Sequence, residues 1–200
     1  MEQRSPEWYA NRAGVLTASR VNPVLNGRTD GKDTIRLELA LERLYGCRQY
    51  ESQYLSAAVQ RGVDLEDDAR KAYENNFGVD VKDVGLVLHP VISYLGASPD
   101  GLVGDDGLIE IKCLGFLPHY KPYIYGKRCI KPEYRSQMLL QLMCTDRKWC
   151  DYVGYNPDEE RPFYTIRIHR NDEEIEKAVP KILDFLKEVE DLAEEIRSKN

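Results

Sequence analysis

Asp100, Glu110 and Lys112 are the residues of this 200-residue chain whose types and spacing best suit chemistry. Ala97-Ser98-Pro99-Asp100-Gly101-Leu102 is followed by the turn-rich Gly104-Asp105-Asp106-Gly107 and then by Glu110-Ile111-Lys112. Two short extended segments joined by that turn would carry one carboxylate each, plus the lysine, to a single point on a sheet. A hard cation such as Mg²⁺ prefers oxygen ligands and keeps several waters, so one or two carboxylates suffice to hold it. A lysine beside them can orient a water for attack on a phosphodiester.

The strand Leu108-Ile109-Glu110-Ile111-Lys112-Cys113 positions these groups. A period of two puts Ile109, Ile111 and Cys113 on one face and Glu110 and Lys112 on the other. An acid two residues before a lysine also occurs at Asp30-Lys32, Asp80-Lys82 and Asp146-Lys148. The first sits in a Gly-rich loop and the last in a charged turn, where a solvated pair is the simpler reading. Only the Glu110 copy lies in an apolar strand behind a turn and an earlier Asp. On spacing alone, a metal site and a surface ion pair both remain open.

Other elements must frame that strand. Ser5-Pro6-Glu7 reads as a helix start leading to Trp8 and Arg12. Val15 to Arg20 reads as the entry to a second short helix, whose free N–H groups with Thr17, Ser19 and Arg12 could hold a phosphate. A plain Thr cap beside a surface Arg is the simpler reading of those residues. Residues 27–33 read as a polar Gly/Asp loop, followed by a helix from Thr34 to Gly46 and another over about 54–77. The latter contains Arg61-Gly62 and Glu66; a solvated acidic face competes with Glu66 as a ligand turned toward Asp100 and Glu110. Gly62, unfavourable by about 1 kcal/mol in a helix, hints at a close approach.

Residues 79–113 predict a meander, 114–132 a loop or a helix broken by Pro118 and Pro122, and Glu133 to Cys144 a helix with Gln137 and Gln141 on one face. Tyr152–Tyr155 and Phe163–His169 predict strands. Asn171, three residues before Glu174, predicts a capped helix over about 171–197, with Pro180 as a kink and an apolar stripe for packing on the same body. Together these elements predict an α/β fold, a mixed central β-sheet flanked by helices, in one domain spanning 1–200.

Composition bounds the rest. A 42% apolar content supports one sizeable core. No long uncharged apolar run predicts a membrane span or a signal peptide. Cys47, Cys113, Cys129, Cys144 and Cys150 include no C-x-x-C pair, and three scattered histidines argue against a zinc site. A reduced, cytoplasmic setting with mostly packed thiols is expected. Net charge is -6, but residues 171–200 carry ten acids against five bases, so the acidity belongs mainly to the last helix. Lys121, Lys127, Arg128, Lys131 and Arg135 cluster with Glu133 as the one nearby acid, a stripe able to track a phosphate backbone.

Several stretches, in order over residues 8 to 157, resemble one family. Arg12-Ala13-Gly14-Val15-Leu16-Thr17-Ala18-Ser19, Arg61-Gly62 through Glu66-Asp67-Asp68-Ala69-Arg70, Ser98-Pro99-Asp100-Gly101-Leu102 with Glu110-Ile111-Lys112-Cys113, and Tyr134-Arg135-Ser136-Gln137 are similar to motifs of the phage recombination exonucleases. These form the lambda-exonuclease or YqaJ-like group of the PD-(D/E)xK nucleases. The resemblance implies a PD-(D/E)xK restriction-endonuclease-like core that degrades the 5′-ended strand of linear double-stranded DNA. It implies two Mg²⁺ ions, with Mn²⁺ able to substitute, held by Asp100, Glu110, the Ile111 carbonyl and Glu66. Lys112 would position or deprotonate the attacking water, Gln137 would contact that water or the scissile phosphate, and Arg12, Ser19 and Ser98 would seat the 5′-phosphate. Where the family often carries a second Gln, this chain has Leu139, leaving Gln141 as second choice. A homotrimer, a single-strand annealing partner and a bacterial or phage-infected host cytoplasm are further implications. An endonuclease or junction resolvase, and an idle DNA-end or recombinase-binding module, are the alternatives; five scattered cysteines argue against an iron–sulfur nuclease.

Overall fold

A computed structural model describes residues 3–27, 29–46 and 57–199. Cys47 and residues 54–56 of the expected second long helix lie outside them. Ser5 caps helix α1 (Pro6–Arg12), accepting the Trp8 N–H at 3.2 Å, with Pro6 at the first turn. The chain then reverses at Gly14, whose φ of +71° suits a residue without a side chain.

The segment expected to enter a helix directly does so only after a short strand. Leu16–Thr17 forms β1, followed by a 3₁₀ turn over Ala18–Arg20 and helix α2 (Asn22–Asn26). The partner of β1 lies far along the chain: β1 runs parallel to β4 (Leu95–Ala97), which pairs antiparallel with β3 (Val87–Leu88). The expected polar loop 27–33 is also corrected, because α3 begins at Thr29 and runs to Tyr45. Asp30 in its first turn suits the helix dipole. Lys32 and Arg36 reach Glu188 at 2.8 and 3.5 Å, tying the first turns of α3 to the last helix.

The main sheet has the order β2 (Val81–Lys82), β5 (Gly101–Val103), β6 (Gly107–Lys112), β7 (Trp149–Tyr155) and β8 (Phe163–His169). Only β6 and β7 are parallel, so the sheet is mixed. The expected meander is therefore divided between two sheets, and Ser98-Pro99-Asp100 is the passage from one to the other. Proline has no N–H to offer a ladder, which ends the pairing of β4 there.

Alternation along β6 buries both faces. Ile109 and Ile111 pack on Ala69 and Tyr73 of α4 (Ala57–Phe77), while Leu108 packs on Met138 and Leu142 of α6 (Pro132–Thr145). Between them, α5 (Phe116–Tyr125) accommodates Pro118 and Pro122 and ends in a 3₁₀ turn, Gly126–Cys129.

The last helix, α7 (Asp172–Ser198), is capped by Asn171, which accepts the Glu174 N–H at 3.3 Å. Pro180, the position of the expected kink, lies within this one helix; Pro180 and Glu176 are both exposed, so water reaches the carbonyl that proline leaves unpaired. Ile182, Phe185 and Val189 are buried in a core shared with Leu16, Leu39, Leu95 and Leu140. At about 1.5–3 kcal/mol for each fully buried side chain, these hold α7 far more firmly than its surface ion pairs, at roughly 0–1 kcal/mol each. No helix among the described residues is long and apolar enough to cross a membrane.

Candidate active site

The site forms where β5 and β6 separate. Asp100, just before β5, donates its N–H to the Ile109 carbonyl at 3.2 Å, and its carboxylate accepts the Ile111 N–H at 2.6 Å. The side chain thus takes over from a backbone partner as the strands diverge. Glu110 and Lys112 lie on the α6 face of β6, as the period of two predicts. Glu110 is only 1% exposed; Lys112 Nζ donates to its Oε1 and Gln141 Nε2, from α6, to its Oε2. Glu66 enters from α4, with Arg4 on its Oε2 and Arg70 3.5 Å from its Oε1.

One cavity of about 510 Å³ is lined by Glu66, Asp100, Glu110, Ile111, Lys112 and Gln137, and equally by Arg12, Ser19 and Ser98. The expected site residues are therefore brought together in one place. Arg12 is buried, 4.0 Å from the centre of the Trp8 ring, and donates to Ser98 Oγ at 3.3 Å, Thr17 Oγ1 at 3.3 Å and Ser19 Oγ at 3.4 Å. The surface arginine of the simpler reading is excluded, and Thr17 caps no helix with its side chain. Ser98 joins the two halves of the cavity: its Oγ also accepts the Trp8 indole N–H at 3.1 Å, two residues before Asp100.

The electrostatics follow from crowding. Burial pushes the Asp100 carboxyl well above the usual carboxylate range, and Glu110 and Glu66 add to the rise, offset by Lys112 and the Ile111 N–H. Burial alone would lower the Lys112 pKa, but Glu110 and Asp100 outweigh it and hold the group above the ordinary lysine value, as an ammonium. Among the described residues, no group of three His, Cys, Asp or Glu stands as a ready-made metal cage. Asp100, Glu110 and Glu66 are each matched with an N–H or a cation. Asp100, Glu110 and Glu66 nevertheless line one cavity and offer only oxygen, the donor type that a hard divalent cation prefers.

Three features escaped the sequence reading. Gly62 does not pack closely on protein; a Cβ there would meet no atom within 4 Å, and the residue instead widens the cavity. Gln141, ranked behind Gln137, makes the direct bond to Glu110. Arg4 and Gln3 reach the site from the first turn, Gln3 donating to the Val84 and Pro99 carbonyls at 2.8 and 2.7 Å. No spacing pattern marks Gln3 or Arg4, whereas the Trp8/Arg12 stack, four apart on α1, was readable as a helical pair.

Comparison with known proteins places this geometry. Residues 7–148 match the model of a YqaJ-like viral recombinase domain. An alkaline exonuclease from Laribacter hongkongensis is 41% identical, with a TM-score of 0.89, over 98% of this chain and 97% of that one. The same enzyme in complex with dAMP matches equally well. A phage-related exonuclease from Haemophilus somnus shares the fold, with 16% identity and a TM-score of 0.67 over 92% of this chain and 96% of that one. None of the curated proteins matches the sequence.

Proposed function

The chain belongs to the YqaJ-like viral recombinase family and is a DNA exonuclease, a phosphodiester hydrolase; from that premise we propose that it removes nucleotides from the 5′-ended strand of linear duplex DNA in a Mg²⁺-dependent reaction, leaving a 3′ overhang for recombination by strand annealing. The observation that carries this direction is the Arg12–Ser19–Ser98 cluster sharing one cavity with Asp100, Glu110 and Lys112. A terminal 5′-phosphate seated on the Arg12 guanidinium and the two hydroxyls would put the next phosphodiester beside the carboxylates. Arg12 is already held by Trp8, Thr17, Ser19 and Ser98, so little freedom is lost when the phosphate arrives. The Laribacter relative was solved with dAMP, a nucleoside 5′-monophosphate of the kind such a reaction releases.

Two Mg²⁺ ions held by Asp100, Glu110, the Ile111 carbonyl and Glu66, replaceable by Mn²⁺, would activate the water and neutralise charge on the phosphate. Lys112 positions or deprotonates that water and stabilises the charge that develops on the phosphate. Gln137 lies on the cavity wall within the same group and contacts the water or the scissile phosphate. Gln141 fixes one oxygen of Glu110 from behind. Phosphate contacts carry no base information, so cleavage is independent of sequence. Family membership supports a homotrimer, a single-strand annealing partner and a bacterial cytoplasmic setting; light scattering reads the first.

The test is cleavage of linear duplex labelled at either end, carrying a 5′-phosphate or a 5′-hydroxyl. Wild type should release nucleotides from the 5′ end, and Arg12→Ala should lose roughly 10- to 100-fold of the preference for the phosphorylated end, the worth of a hydrogen bond to a charged group. Release from the 3′ end, cutting of covalently closed circles, or an Arg12→Ala variant with its preference intact would sink the reading.

A further inference from the structure

Helix α5 follows the catalytic strand after only three residues, and its two sides differ sharply. The inner side is fixed: His119 and Pro122 are buried, His119 Nε2 lies 2.7 Å from the Arg161 carbonyl, and the Tyr164 hydroxyl donates to the His119 carbonyl at 2.9 Å. The outer side carries Phe116, Leu117, Ile124 and Tyr125 in the open, with Phe116 61% and Ile124 62% exposed. So many large apolar side chains on one ten-residue helix exceed the scattered exposure ordinary for a protein surface.

The charge carried by this stretch of sequence has one sign. From Leu114 to Pro132 the sequence holds Lys121, Lys127, Arg128 and Lys131 and no acid. The face is also continuous with the site at one end and with a hollow of mixed charge at the other, whose near rim is Lys127 and Arg128. Cys113 and Leu114 line the active cavity, two residues before Phe116. Lys127 and Arg128, in the turn that ends α5, line a second cavity of about 590 Å³ with Arg135, Arg167 and Arg170 on one side and Asp172, Glu173 and Glu174 on the other. Arg167 and Arg170 are engaged by Asp151, Asp146 and Asp172, whereas Lys127, Arg128 and Arg135 are exposed at the α5 end.

We propose that the outer face of α5 is a binding platform for single-stranded DNA, running about 15 Å from the active cavity to Lys127 and Arg128. Cations set among exposed aromatic rings suit an unpaired strand, whose bases stack on the rings while its phosphates meet the lysines and arginines. Duplex DNA keeps its bases stacked inside and would gain nothing from Phe116 or Tyr125. The inference rests on the exonuclease reading, since removal of one strand at the cavity is what leaves the other unpaired beside α5.

The test is fluorescence anisotropy with a labelled oligothymidylate and, separately, a blunt duplex, in EDTA so that nothing is cut. Phe116→Ala/Tyr125→Ala should weaken oligothymidylate binding at least tenfold and duplex binding less than twofold. Arg128→Ala should lower the salt dependence of single-strand binding. Both changes are at exposed positions, and a thermal melt checks that the fold is kept. Unchanged oligothymidylate binding, or equal losses on both ligands, would overturn the platform. A lower particle mass by light scattering with single-strand binding intact would overturn it too, by making the face a contact between copies. Because binding is read without cleavage, an enzyme of the wrong polarity would count against the exonuclease reading, while selective loss in the double variant would still support the platform.

Discussion

Glu110 and Asp151 are both buried carboxylates on neighbouring strands of one sheet, 1% and 2% exposed, and they end in opposite states. Asp151, on the α4 side of β7, is saturated. Arg167 donates Nε and Nη2 to its two oxygens at 2.8 Å each, and the Tyr73 hydroxyl donates at 2.7 Å. Arg167 itself stacks 3.6 Å from the centre of the Trp149 ring. Glu110, on the α6 side of β6, shares one lysine with Asp100, and Glu66 adds to the negative charge nearby. Asp151 is closed off by an arginine and a phenol, whereas Glu110 lines an open cavity with Asp100 and Glu66, where Lys112, Arg4 and Arg70 are the cations beside them. Burial alone does not mark a functional acid; burial beside further carboxylates on the wall of a cavity is what sets Glu110 apart from Asp151.

The largest effect that sharpens this contrast belongs to Asp100→Asn. The amide keeps the shape and can still accept the Ile111 N–H, so loss of charge is the principal change. Cleavage should fall by about 10³-fold or more. Stability should move the other way. The folded-state pKa of Asp100 is raised, so the native state keeps a proton that the unfolded chain releases, and metal-free wild type loses stability as pH rises through that raised pKa. Asp100→Asn escapes this loss; urea melts in EDTA should find it more stable than wild type at neutral pH, with the gap closing in acid. A variant that keeps its cleavage rate would remove Asp100 from the site.

Asp151→Ala breaks the contrast from the other side. It leaves the Arg167 guanidinium and the buried Tyr73 hydroxyl without their shared acceptor. Because Arg167 is 45% exposed and water can replace part of the loss, the cost should be about 2–3 kcal/mol rather than that of a fully buried pair. Cleavage per folded molecule should be retained. If instead the rate collapsed with an unchanged urea midpoint, the separation between structural and catalytic carboxylates would fail.

The cavity-lining half of this contrast was more legible in the sequence than the closed half, and the reason is range. Glu110 and Lys112 are two apart on an alternating strand, so their shared face follows from local geometry. The apolar stripe of α7 likewise shows its spacing within one element. Leu16–Thr17 instead becomes a strand through β4, some eighty residues away, and the early turns of α3 meet Glu188, more than 150 residues away. Gln137 and Gln141 could be placed on one helical face, but which of them lies deeper depends on how α6 meets β6. Arg12 is buried through Trp8 on its own helix, a signal within reach, and through Ser98, one that is not.

The smallest effect lies within the structural cluster. Tyr73→Phe deletes one hydrogen bond to Asp151 and leaves both bonds from Arg167. Burial first, and then the bond to Asp151, pushes the phenol above its ordinary pKa, so it is a neutral donor throughout the working range and its removal should add no pH dependence. The ring keeps its packing on Phe77, with centroids 4.7 Å apart, so no cavity opens beyond the lost hydroxyl. The expected cost is therefore about 1 kcal/mol, that of one net hydrogen bond, with cleavage unaltered. A loss as large as that of Asp151→Ala would mean that the phenol, not the arginine, holds the buried charge.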